Sequence, residues 1–234
     1  MQHYQWNTYS IESGNTQNTR YDTVCPRYSY ERVTAMSQNA SALINQIKSL
    51  KPRAGTQIFL GMKWGAAMLD PSFQTINAKL ATLSKADNNF NTRPAAYTDS
   101  KTLKTIVLMT DGENSSTQRI NSQVYANSSH YAHWDSYNFN YYLQRYVYAS
   151  QRPYWYWEKY SATTGDNLLE DICDAAKKEG IVIWTVGFET TEHGEEQMRK
   201  CASSPSHYFD VEGVQIKDAF QSIARQINQL SLTQ

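Results

Sequence analysis

Two short runs of unbroken apolar character, "KTIVLM" at 104–109 and "IVIWTVGF" at 181–188, constrain this chain more than any other feature. A strand with one face in water alternates apolar and polar residues, whereas a strand apolar throughout is covered on both faces. Each run is flanked by segments with helical spacing. Leu43, Ile44, Ile47 and Leu50 form one stripe behind Ser37, which predicts a capped helix over "QNASALINQIKSL". "TQIFLGMKWGAAML" (56–69) predicts a second helix ended by Asp70-Pro71. Its Gly61 and Gly65 lie four apart and leave a bald face that fits closely against a sheet or another helix. A third helix is assigned to 74–86, followed by a loop through Pro94. Asp166 reads as the cap of "NLLEDICDAAKKE", with Leu168, Leu169, Ile172, Cys173 and Ala176 inward and Gly180 as the stop. "GEEQMRKCASS" predicts a short helix ended by Pro205, and "HYFDV" (207–211) a further strand. Ile216, Phe220, Ile223, Ile227 and Leu230 stripe a last helix over about 213–230. "YERVTAM" (30–36) is assigned to one more short strand. Strands alternating with helices predict a three-layer α/β/α sandwich with a mostly parallel, Rossmann-like sheet.

In such sheets ligands sit at the carboxyl ends of the strands. The first apolar run ends in "TDGEN", which puts Asp111 at that position. A nucleotide-binding ATPase would need a GxxxxGK[ST] phosphate loop, but "GTQIFLGMK" has the wrong spacing and ending. A dinucleotide fold would need GxGxxG after a strand, and the sequence has none. A magnesium site asks only for a few carboxylate and hydroxyl oxygens plus waters. Glu113 and Asn114 read as a solvated turn beside it. His130 and His133 read as surface residues, and His193 and His207 have no sequence partner that suggests a role.

The chain carries 22 basic and 22 acidic residues. That balance removes electrostatic attraction to nucleic acid or an anionic membrane as the main theme. No stretch of about 18 apolar residues exists to span a bilayer. "MQHYQWNTYS" lacks the regions of a signal peptide, so the protein is cytosolic or a piece of a longer chain. Residues 1–29 read as a polar arm. Of 17 Tyr, ten fall between 125 and 160 without a clean period. The segment 118–165 is therefore assigned to a Tyr/Trp-rich insertion, either a partner-binding surface beside Asp111 or a self-packed subdomain. The three cysteines, Cys25, Cys173 and Cys201, form no zinc motif.

"LKPRAGTQIFLGMKWGAAML", "TIVLMTDGEN", "GIVIWTVGFE" and "CASSPSHYFDVEGVQIKDAFQSIARQI" occur in an order and spacing that resembles a von Willebrand factor type A domain. More narrowly, they resemble the C-terminal part of the TadG-like proteins of Tad pilus assembly. The resemblance covers about 30–116 and 166–230, within a domain of 30–230. It implies a metal-ion-dependent adhesion site for Mg2+ in which Thr56 and Asp111 match two ligand positions. The family's DxSxS first strand is absent from this sequence, so the domain is expected to be incomplete at its N-terminus, with that strand and a membrane anchor upstream. Similar proteins carry both Cys173 and Cys201, and outside the cytoplasm a bridge would fasten the two helices flanking 181–188. The resemblance further implies a non-enzymatic interaction or scaffold module, on the periplasmic or extracellular side of the envelope. Its partner would be a pilus assembly or envelope protein. Two alternatives are a metal-dependent hydrolase using Asp111 and Glu113, and a cytosolic von Willebrand A subunit of an ATPase complex.

Overall fold

The computed structural model describes residues 28–51 and 55–232. The polar arm at 1–29 lies outside the described residues except for Tyr28 and Ser29. In chain order the helices are α1 (Ala40–Ser49), α2 (Ile58–Leu69), α3 (Gln74–Thr82), α4 (Ser128–Ser136), α5 (Phe139–Tyr146), α6 (Ala162–Lys178), α7 (Glu192–Cys201) and α8 (Ile216–Leu232). The strands are β1 (Thr105–Thr110), β2 (Thr117–Ile120), β3 (Tyr156–Tyr160), β4 (Val182–Phe188) and β5 (Tyr208–Val211). The described residues fall into two compact units. One draws on residues 28–33, 41–51, 55 and 115–162, the other on 34–40, 56–114 and 163–232.

The second unit holds the two apolar runs. Among the described residues its sheet has the order β1-β4-β5, parallel throughout. The register sets Ile106 beside Ile183 and Leu108 beside Thr185, so these four share one face. Helix α2 lies on that face with its bald side down. A Cβ added at Gly65 would stand 3.7 Å from Ile106, and one at Gly61 4.0 Å from Leu108. The Thr185 hydroxyl donates to the Met198 carbonyl at 2.8 Å, which fixes α7 on the same side. A disulfide joins Cys173 of α6 to Cys201 of α7, with Cα atoms 5.2 Å apart. On the opposite face Trp184, Val186 and Val211 pack against Ala219 and Ile223 of α8. Helices, sheet and helix make three layers, the α/β architecture expected from the alternation of apolar runs and helical stripes.

At the amino-terminal rim, Lys104 is buried although it carries a cation. Its ammonium donates to the carbonyls of Leu69 (2.8 Å) and Ala95 (2.6 Å) and lies 4.0 Å above the Tyr97 ring. These contacts replace part of the lost hydration. Burial still lowers the Lys104 pKa, and burial with the Asp70 bond lifts the Tyr97 phenol to about 12.

The first unit has a core of its own. Ile120, Trp134, Phe139, Leu143 and Val147 are buried together, with Tyr125, Tyr137, Tyr142, Trp155 and Tyr156 packed around them. Strands β2 and β3 pair antiparallel across this segment. The Trp134 indole N–H reaches the Val124 carbonyl at 2.7 Å. The aromatic residues thus serve largely as core, their edge-to-face contacts replacing the missing aliphatic ones.

Two expectations are corrected. Residues 30–36 form no strand: Ser29–Glu31 is a 3-10 turn closed by the Tyr28 N–H donating to the Glu31 carboxylate at 2.9 Å, and irregular backbone follows. Helix α1 forms as its stripe predicts, with Ile44, Ile47 and Leu50 49%, 66% and 55% exposed. Asp166 is not a cap, because α6 begins at Ala162 and carries Asp166 inside the helix, buried.

Candidate functional site

The carboxyl rim of the β1-β4-β5 sheet gathers one polar network from four stretches of the second unit. The loop after β1 supplies Asp111, Gly112, Glu113 and Asn114. The segment just before α2 supplies Thr56, the first turns of α6 supply Asp166, and the turn from β4 into α7 supplies Thr190, Thr191 and His193.

Asn114 is the hub. It is 3% exposed, although four residues before it β1 has ended. Its side-chain oxygen accepts from the backbone N–H of Ile58 at 2.8 Å and of Phe59 at 3.4 Å. Helix α2 begins after Gln57, whose side chain makes no cap bond. Asn114 therefore caps α2 from a residue far away in sequence and satisfies donors that a helix start leaves open. Its amide N–H2 donates to Asp166 Oδ1 at 3.0 Å. The other oxygen of Asp166 meets His193 Nε2 at 2.9 Å. That bond to Asp166 raises the His193 pKa above its ordinary 6.5, partly opposed by burial and helped by the charges of Asp166, Glu113 and Glu196. Gly165, one residue before Asp166, leaves room for the hub: a Cβ there would stand 3.0 Å from Asn114 Cβ.

The rest of the loop is tied to the β4–α7 turn. The Gly112 carbonyl accepts from the Thr110 hydroxyl at 3.1 Å and from the Thr190 hydroxyl at 3.2 Å. The Thr191 hydroxyl caps α7 by accepting from the Gly194 N–H at 3.2 Å, and donates to Glu113 Oε2 at 2.8 Å. Glu189, immediately after β4, takes a left-handed φ of 49°, a costly conformation for a residue with a Cβ. Its N–H bonds the Val211 carbonyl and its carboxylate accepts from the Gly213 N–H, which hold that turn in place.

Thr56 lies against this loop. A Cβ on Gly112 would stand 3.4 Å from the Thr56 hydroxyl oxygen. The two ligand positions implied by the family resemblance, Thr56 and Asp111, therefore belong to adjoining backbone at one rim. Asp111 is exposed and Thr56 half-buried. Both are hard oxygen donors of the kind magnesium takes, but a full shell needs about six. Among the described residues no group of three or more His, Cys, Asp or Glu is arranged to hold a metal. The donor set fits at most a weakly held, largely hydrated ion.

Glu113 and Asn114 were expected as a solvated turn. Glu113 is exposed but bonded to Thr191, and Asn114 is buried, because the polar side chain is needed inside as a cap. His193 has the partner that sequence spacing did not reveal. Thr190 and Thr191, the two hydroxyl residues between a buried strand and an acidic helix start, were the available signal for this part of the network.

No family model matches the chain, and no curated protein matches it. Among solved structures, the chain is similar to the vWF domain of the type V pili tip protein Mfa5 from Porphyromonas gingivalis. The identity is 15%, the TM-score 0.46, and the likeness covers 86% of this chain and 77% of that one. A likeness of that degree is too loose to transfer a site or a function.

Proposed function

We propose that the chain is a protein-binding or scaffold module of von Willebrand A type, acting in envelope-associated assembly of a Tad-type pilus and performing no chemistry of its own. The observation that carries this reading is the carboxyl rim. An exposed carboxylate, Asp111, is held out on a loop whose neighbours Gly112, Glu113 and Asn114 are each bonded back to the fold. A rigid, exposed anionic group on an ordered rim suits docking, because little freedom is lost when a partner binds.

Glu113, the second carboxylate of a hydrolase reading, is taken up by Thr191. The disulfide between α6 and α7 supports a periplasmic or extracellular location, since such bridges persist in oxidising compartments. Thr56 and Asp111 would be this chain's contribution to any Mg2+ held at the rim, with water or a partner's carboxylate completing the shell.

The test is genetic and biochemical together. In the native bacterium, Asp111→Lys at unchanged protein level should abolish pilus assembly and cross-linking of the chain to envelope proteins. Normal pili and an unaltered cross-linking pattern in that strain would defeat the proposal. Calorimetric titration of the purified chain with magnesium chloride then separates the cation from the docking role. Heat that disappears in Thr56→Val and Asp111→Ala would assign the ion to this rim.

A further inference from the structure

A cavity of about 480 Å3 lies between the carboxyl-terminal halves of α2 and α6, toward the amino-terminal rim of the sheet. Small-molecule sites run from roughly 300 to 1,000 Å3. The hollow exists because Ala66 and Ala67 of α2 and Ala175 and Ala176 of α6 line it, and methyl groups fill little of the space between two helices. With Ile181, which is buried, they make the lining mostly apolar. The charge around it is negative. Asp70, Asp171 and Glu179 stand against one base, Lys178. Both helices also end here, and a helix carboxyl end carries partial negative charge. The end of α2 already holds one cation, the Lys104 ammonium on the Leu69 carbonyl and over the Tyr97 ring. Asp70 is taken up by the Ser72 N–H at 2.8 Å and the Tyr97 hydroxyl at 3.1 Å. The carboxylates of Asp171 and Glu179 are exposed and, among the described residues, carry no hydrogen bond or ion pair.

The Glu179 N–H donates to the Ala175 carbonyl at 3.3 Å, so helical geometry persists through Glu179. Asp171 and Glu179 are thus two free carboxylates about 12 Å apart along one helix axis, with Ala175 midway between them. Among the described residues no three acids converge as a metal site requires. Two separated anions across an apolar floor call instead for two cations joined by a carbon chain. We infer that this cavity binds a linear aliphatic diamine, one ammonium at Asp171, the other at Glu179, and the methylene chain on the four alanines. The lining holds three acids and one base, an excess that two ammonium groups balance. Removing methylenes from water drives the binding, while the exposed ion pairs contribute less and set the orientation. A short diamine cannot span the gap, a monoamine leaves one carboxylate unpaired, and a dianion is repelled by both. Nothing in this site depends on the docking role given to the carboxyl rim, at the other end of the sheet.

The test is an NMR titration of the full chain, labelled at its alanine methyl groups, with hexamethylenediamine. The methyls of Ala66, Ala67, Ala175 and Ala176 should shift and saturate together. Hexylamine and ethylenediamine should bind more weakly, and adipate, a dianion with a similar chain, should leave these methyls unmoved. Asp171→Asn and Glu179→Gln should each weaken the diamine by about 2–5-fold, the loss of one exposed ion pair, whereas Glu170→Gln, exposed on α6 but outside the lining, should not. Ala175→Leu should fill the hollow and abolish binding; if it disturbs the fold, the two charge variants on exposed surface still decide. No saturable shift with the diamine overturns the inference. So does hexylamine or adipate binding as tightly as the diamine, or a diamine affinity unchanged in both charge variants. Shifts of these methyls that follow protein concentration alone would put a second copy in the groove and overturn it as well.

Discussion

Replacing Asn114 with alanine removes three bonds from the centre of the carboxyl rim. The side-chain oxygen that caps α2 through Ile58 and Phe59 disappears, and so does the amide that satisfies Asp166. Loss of a helix cap costs about 1 kcal/mol, within a range of roughly 0.5–2. Leaving a buried carboxylate one partner short adds about 1–3 kcal/mol. The sum is about 2–4 kcal/mol, a large share of the stability of an ordinary domain. Because the chain has two units, a single melting curve is a poor gauge, and amide hydrogen exchange followed residue by residue is the better assay. The Ile58 and Phe59 amides should exchange about 2–30-fold faster, the factor corresponding to the cap alone. The slowest amides of β4 should report the full loss. Asn114→Asp keeps the cap acceptor but sets a second carboxylate against Asp166, so it should also destabilise near neutral pH. Part of that loss should return in acid, when one of the pair takes a proton. If Asn114→Ala leaves the Ile58 and Phe59 amides unchanged and costs under about 0.5 kcal/mol overall, the long-range cap is not what starts α2.

Other expectations follow from the same geometry. Gly165→Ala, which in an exposed helix would stabilise by about 1 kcal/mol, should instead destabilise by a similar amount, because its methyl meets Asn114 at 3.0 Å; urea titration with Thr164→Ala as control checks the sign. The His193 ring should titrate above 6.5 by NMR, and Asp166→Asn should bring it back toward that value. As a base with a raised folded pKa, His193 contributes stability that is complete below 6.5 and lost as pH rises through the folded value, so Asp166→Asn should flatten the pH dependence of stability over that window. Reducing the bridge between Cys173 and Cys201, which are 28 residues apart, should cost about 3–4 kcal/mol on the chain-entropy estimate, measured by urea unfolding with and without dithiothreitol.

The layered α/β architecture was legible in the sequence because it rests on local signals. Unbroken apolar runs mark β1 and β4, and Gly61 and Gly65 mark the face of α2 that meets Ile106 and Leu108. What could not be read was long-range. Asp166 follows Thr-Thr-Gly, residues that favour helix starts and turns over helix interiors, so it resembles a cap; α6 runs four residues further back, and Asp166 bonds Asn114 and His193 instead. Asn114 resembles a turn residue for the same reason: its helix partner lies more than fifty positions upstream. The stripe of α1 was read correctly as helical, but periodicity reports only that a face is apolar, and not whether anything covers it. The aromatic segment lacked a period because its core is assembled from short helices, turns and one antiparallel strand pair, each contributing one or two rings.

Helices α6 and α7 stand side by side like the rails of a ladder with two rungs. One rung is the sulfur bridge from Cys173 to Cys201; the other is the contact of Asp166 with His193, two turns nearer the rim on each helix. The first is covalent and yields to a reductant; the second is a contact of a half-exposed imidazole, which protonation of His193 strengthens. The sulfur rung is therefore the stronger tie between the rails, and the imidazole adds a lighter, proton-sensitive one nearest the rim.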